Sequence, residues 1–148
     1  MRIRMVFGGI LKFKKLVKEA KITYPVMQSD VGYDMCSIED KVIKPSTSEI
    51  VHTGLAFEIP EDYYALVRTR SGYGVKNSLQ LHHGLIDPGY RNEITVCIYN
   101  HSATEYRVSK GDKVAQLVIL PRIVLPLKEV SELHPSERNL KGLGSTGR

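Results

Sequence analysis

At 148 residues, 42% apolar and 25% charged, the chain has the make-up of one ordinary globular domain, long enough for a real core. Its net charge of +5 suits an anionic ligand such as a phosphate, but the cations are too dispersed to mark a specific nucleic-acid surface. Two cysteines, Cys36 and Cys97, form no metal spacing or disulfide framework, which points to a reducing, cytoplasmic setting, and no apolar run approaches membrane-spanning length.

Residues 1–9 read as a loose N-terminal extension, residues 10–136 as the domain, and residues 137–148 as a tail too poor in apolar groups to fold alone. Met5 to Leu11 is too short, and runs too directly into Lys12, for a signal peptide. Leu11 to Val17 is the first predicted strand, and Lys12, Lys14, Lys15, Lys18 and Lys21 form a solvated face beside it. Ser29 to Met35 holds a glycine turn that delivers Asp34 to a strand. Ile50-Val51 and Leu55 to Ile59 are strands, and Pro60-Glu61-Asp62 is a turn. Tyr63 to Thr69 alternates, with Tyr64, Leu66 and Arg68 on one face and Ala65 and Val67 on the other. The only helix-like candidate starts at about Ser71 and is short.

The apolar positions Leu79, Leu81, Leu85 and Ile86 end in Asp87, and Pro88-Gly89 forces a turn there. Glu93 to Tyr99 is the next strand, with Ile94, Val96 and Ile98 alternating against Thr95, Cys97 and Tyr99. Ser109-Lys110-Gly111-Asp112 turns into a buried strand, Val114 to Leu120. Pro121 and Pro126 bracket a last extended piece, Ile123 to Leu127. Short strands between glycine and proline turns, with almost no helix, indicate an all-β barrel or sandwich.

Chemistry-bearing residues gather in five stretches. Asp34 follows a Gly-Tyr turn. Arg70-Ser71-Gly72 joins a cation, a hydroxyl and exposed backbone. Asp87 is a lone acid pinned at a strand corner against apolar neighbours, which suits a general base. Gly111-Asp112-Lys113 leads to Gln116, a polar residue in an apolar strand. Arg138 precedes Gly142-Leu143-Gly144-Ser145-Thr146-Gly147 in the tail. Glycines free backbone N–H groups to face a phosphate, hydroxyls add donors, and arginine grips phosphate oxygens in pairs. Each signal alone has a plain alternative: Asp-Pro-Gly corners, turns and loose tails are common.

Together and in this order the five stretches resemble the five motifs of the trimeric dUTPase family, from about residue 10 to the end. The resemblance implies a distorted jelly-roll β-barrel with at most one short helix and a flexible C-terminal tail that closes over the active site. It implies Mg²⁺-dependent hydrolysis of dUTP to dUMP and pyrophosphate, which limits uracil incorporation into DNA and supplies dUMP for dTTP synthesis. Asp87 would deprotonate the water that attacks the α-phosphorus, and Tyr90 would lie under the deoxyribose. The strand with Gly84 and Ile86 would read the uracil edge. Arg70, Ser71, Gly72 and Gln116 would bind the phosphates. Arg138, Leu143, Gly144, Ser145 and Thr146 would close over the nucleotide, and Asp34 would touch Mg²⁺ only through water. A homotrimer with shared active sites is implied, with no membrane or specific nucleic-acid partner.

Some positions depart from the family's pattern. Leu143 stands where an aromatic residue usually stacks on uracil. Asn92 and Asn139 replace glycines, and Val31 stands where alanine is common. His82 and His83 precede the base-reading segment. The homologous dCTP deaminases, including bifunctional deaminase–dUTPases, are the nearest rival. Their deamination depends on a glutamate in the strand after the Asp87 corner, where Ile94 to Tyr99 hold no acid and Glu93 sits too early. A non-catalytic regulatory homologue is a second rival, supported by Leu143 and opposed by Asp87. A basic nucleic-acid-binding barrel lacks the exposed aromatic stripe that base stacking requires.

Overall fold

The computed structural model describes residues 8–24, 27, 29–82 and 84–136. Among the described residues, twelve strands and one short π-helical turn make an all-β architecture. The strands are β1 (Lys12–Lys15), β2 (Ile22–Thr23), β3 (Gly32–Cys36), β4 (Lys41–Ile43), β5 (Ser48–His52), β6 (Leu55–Glu58), β7 (Tyr63–Arg68), β8 (Leu79–Leu81), β9 (Gly84–Ile86), β10 (Thr95–Asn100), β11 (Tyr106–Val108) and β12 (Lys113–Pro121). The π-helical turn, Gly72–Lys76, stands where a short helix is expected.

A five-stranded sheet runs in the order β2-β3-β12-β7-β9, and a three-stranded one in the order β5-β10-β8. Two antiparallel pairs, β1-β6 and β11-β4, complete the shell. Period-2 patterning drives one face of each sheet inward. Ala65 and Val67 of β7 and Leu117 of β12 meet Val96 and Ile98 of β10 and Leu79 and Leu81 of β8 in one buried cluster. Burying each such leucine or isoleucine stabilises the fold by roughly 1.5–3 kcal/mol. Asn100, fully buried, is satisfied: its amide donates to the carbonyls of Ile43 and Thr104, and its oxygen accepts from the N–H and Oγ of Ser102.

Three details differ from the sequence reading. The run before Asp87 is two strands in different sheets: β8 pairs with β10, while β9 pairs with β7. The Asp87 corner therefore carries the chain from one sheet to another rather than closing a hairpin. Gly32 lies inside β3, paired with Val118, and not in the turn before it. Residues 123–136 carry no assigned strand, so the expected extended piece Ile123 to Leu127 pairs with no described strand. Its side chains, Ile123, Val124, Leu125 and Leu127, are exposed.

Candidate active site

Of the expected residues that the structure describes, Asp34, Arg70, Ser71, Gly72, Gln116 and Asp87 line two clefts, and Gly84, Ile86 and Tyr90 line neither. The first, ≈ 520 Å³, is walled by Gly32 and Asp34 of β3, Gln116 and Lys113 of β12, and Arg70, Ser71 and Gly72 at the end of β7. Asp34 sits opposite Gln116, and Gln116 opposite Arg68, so one cross-strand row sets their spacing. Asp34 is the electrostatic hub. Its Oδ1 meets Arg70 Nε at 3.0 Å and its Oδ2 meets Lys113 Nζ at 3.0 Å. One carboxylate thus holds two cations in the cleft, and Asp30 on the same wall is a second acid.

Lys113 reaches that position because β12 bulges. The register with β3 shifts between Lys113 and Ala115, and Val114 and Ala115 both point into the core. The extra residue returns Lys113 to the face that carries Gln116. Regular alternation places the two on opposite faces; in the sequence reading Lys113 stands in the fourth stretch without a site role. Gln116 Nε2 donates to the Thr69 carbonyl at 3.3 Å. Ser71 begins the π-helical turn, exposed and with no side-chain capping bond, so its hydroxyl faces solvent. Beneath the turn Tyr73 is buried against Tyr106, with ring centroids 5.7 Å apart, and burial pushes its hydroxyl far above the ordinary tyrosine range. That ring anchors the turn from below.

The second cleft, ≈ 480 Å³, contains Asp87, Pro88, Gly89 and Arg91 with Ile59, Glu61 and Arg122. Asp87 is exposed, a correction to the expectation of a carboxylate packed against apolar neighbours. The apolar side chains nearest in sequence leave it uncovered because β9 is an edge strand and Leu85 is itself 60% exposed. The Asp87 carbonyl accepts the Tyr90 N–H at 3.1 Å, which closes the turn. Arg91 Nη1 donates to the carbonyls of Pro88 and Tyr90 and stiffens it. Tyr90 Oη donates to the Glu93 carbonyl at 3.0 Å. Gly84 and Ile86 pair with Val67 and Ala65 on one side only. The other edge of β9 is available to a ligand.

The two clefts share no lining residue. The structure brings Asp34, Arg70, Ser71, Gly72 and Gln116 together and keeps Asp87, Ile86 and Tyr90 apart from them. Arg138, Leu143, Gly144, Ser145 and Thr146 lie outside the described residues. Among the described residues no helix is long and apolar enough to cross a membrane, and no group of three or more His, Cys, Asp or Glu is placed to hold a metal.

The dUTPase family profile matches residues 18–147. The chain belongs to the dUTPase family. It is 40% identical over 140 residues to the deoxyuridine 5'-triphosphate nucleotidohydrolase of Clostridium tetani, covering 93% of this chain and 97% of that relative. It is 42% identical over 139 residues to the enzyme of the same name from Alkaliphilus metalliredigens, covering 93% and 96%. Among solved structures, the dUTPase of Staphylococcus bacteriophage 80alpha with dUpNHpp matches with a TM-score of 0.89 at 32% identity, over 95% of this chain and 100% of that one. A mutant dUTPase from phage phi11 of S. aureus, described for its coordination of a structural Mg(II) ion, matches with a TM-score of 0.81 at 29% identity, over 86% and 100%. The all-β fold is accordingly the jelly-roll type of that family.

Proposed function

We propose that the chain hydrolyses dUTP to dUMP and pyrophosphate at a site completed between copies of itself, with Asp87 as the base that activates water. The carrying observation is the division of the family's site residues between two clefts with no common wall. The cleft of Arg70, Ser71, Lys113 and Gln116 has the donors a triphosphate needs. The Asp87 corner has the base with the Tyr90 ring beside it in sequence, and its two arginines, Arg91 and Arg122, already donate to backbone carbonyls. Docking the two clefts of different copies supplies both halves.

The outer face of the five-stranded sheet supports such docking. Val118 is paired with Leu66, and Leu66 with Leu85, in an apolar row that the chain leaves partly exposed. A homotrimer with shared sites satisfies both features.

In this reading the free edge of β9 reads the uracil edge, and Tyr90 lies under the deoxyribose. Arg70, Lys113, Ser71 and Gln116 grip the phosphate chain. Asp87 takes a proton from a water in line with the α-phosphorus, and pyrophosphate leaves. Positioning and charge neutralisation do most of the work, as phosphoryl transfer requires. Arg138, Leu143, Gly144, Ser145 and Thr146 close the site over the nucleotide, excluding water other than the nucleophile. Mg²⁺ fits this donor set in one way. Asp34 shares both oxygens with cations, so it would reach a triphosphate-borne Mg²⁺ only through water. When bound, that ion neutralises charge on the phosphates.

The test is pyrophosphate release from dUTP, dCTP, dTTP and UTP with Mg²⁺, comparing wild type with Asp87→Asn. Release from dUTP alone, abolished by the substitution, supports the reading. Tight dUTP binding without release points instead to a regulatory homologue, and deoxyuridine products from dCTP to a deaminase.

A further inference from the structure

Glu93 lies between the Asp87 corner and the core and has no part in the mechanism above. Its carboxylate is fully engaged. Oε1 accepts the Gly54 N–H at 2.7 Å, and Oε2 lies 2.9 Å from His52 Nδ1. The next residue is bolted to the same turn: Ile94 N–H donates to the Leu55 carbonyl at 2.8 Å, and Thr53 Oγ1 donates to the Ile94 carbonyl at 2.6 Å. The turn is closely packed at Gly54. Gly54 has φ +66°, and a Cβ there would lie 2.9 Å from Val17 Cγ2 and 3.0 Å from Ala20 Cβ. Glu93 is therefore clamped by its side chain to a closely packed point of the fold, while its main-chain carbonyl holds the Tyr90 hydroxyl.

We infer that Glu93 is a positioning residue that sets the choice of deoxyribose over ribose by fixing the Tyr90 ring. Tyr90 is 39% exposed; its hydroxyl bond to the Glu93 carbonyl ties the ring, and the Asp87 turn and Arg91 hold its main chain. A sugar with a 2′-hydroxyl is excluded only by a ring that does not yield. Releasing the carboxylate of Glu93 lets its peptide rock, the acceptor for Tyr90 moves, and the ring gives way. The inference rests on the reading of Tyr90 as the deoxyribose platform.

The experiment measures kcat/KM for dUTP and for UTP, with Mg²⁺, in wild type and in Glu93→Ala, Glu93→Gln, Tyr90→Phe and Tyr90→Ala. Glu93→Ala should cut the dUTP-to-UTP ratio about tenfold, the scale set by one charge-assisted hydrogen bond. Glu93→Gln keeps an oxygen for the Gly54 N–H and should restore most of the ratio. Tyr90→Phe removes only the hydroxyl and should lose a similar factor, with no further loss in the Tyr90→Phe/Glu93→Ala double variant. If Glu93→Ala slows both substrates equally, Glu93 is structural and the inference falls. If it fails to fold, Tyr90→Phe decides, because an unchanged ratio there breaks the link. If Tyr90→Ala leaves the ratio intact, the platform reading fails on its own, whatever Glu93 does.

Discussion

Gln116 lies across Gly32: a Cβ placed on Gly32 would come within 2.4 Å of the Gln116 Oε1 and 3.1 Å of its Cβ. The two residues are diagonal neighbours on β3 and β12, and the absent side chain of one makes the bed for the other. Gly32→Ala should therefore push the amide off its place beside Thr69 and out of the phosphate cleft. We expect kcat/KM for dUTP to fall about tenfold, mainly through KM, as loss of one ground-state contact does. Steady-state kinetics check this, and an unchanged KM would show that Gln116 is not a substrate ligand.

The bulge in β12 makes a second prediction. It turns Lys113 into the cleft beside Arg70, both held by Asp34. Lys113→Met should raise KM for dUTP about tenfold at low salt, and the difference should shrink as salt is raised, because charge pairs at an open cleft are screened. Asp34→Ala leaves two unrestrained cations and should raise KM by a similar factor. Titrating KM against KCl in the three proteins distinguishes a charge effect from a packing one.

Acid should release Glu93. Burial pushes its carboxyl up, but the hydrogen bonds from His52 and the Gly54 N–H outweigh that and hold it below the ordinary carboxylate range. A folded value lowered below the unfolded one adds stability that is present above the unfolded value and lost as pH falls through the folded one. Wild type should lose more stability than Glu93→Gln on going from pH 5 to below pH 4. Urea melts at several pH values check the sign; parallel curves would show that the carboxylate adds nothing.

Leu117 is fully buried in the central strand, opposite Val67 and Tyr33. Leu117→Ala should cost about 2–5 kcal/mol, the range for a leucine removed from a packed core. The effect is read as a lower urea midpoint at unchanged slope.

Alternation made much of this fold legible. The inward set of β10, Val96 and Ile98, and the two faces of β7 lie where period-2 patterning places them. The loop at Arg70-Ser71-Gly72 stood out only through its place among the five stretches, since alone it reads as a turn. What pattern could not show was parity. One extra residue in β12 reverses which face Lys113 takes, and no residue type announces it. The exposure of Asp87 was hidden too, because an apolar run reads as covered whether the cover comes from the chain itself or from elsewhere. Glu93 was seen only as a residue that fails a deaminase pattern; its partners, His52 and Gly54, lie about 40 residues away, beyond local spacing.

The uncovered stretch after Arg122 has a thermodynamic consequence. Ile123 is 76% exposed, and Val124, Leu125 and Leu127 are open beside it. Each carries apolar surface worth about 25 cal/mol per Å² if removed from water. If copies dock as proposed above, part of that surface is covered only in the assembly, and the unfolding midpoint should rise with protomer concentration and fall on dilution.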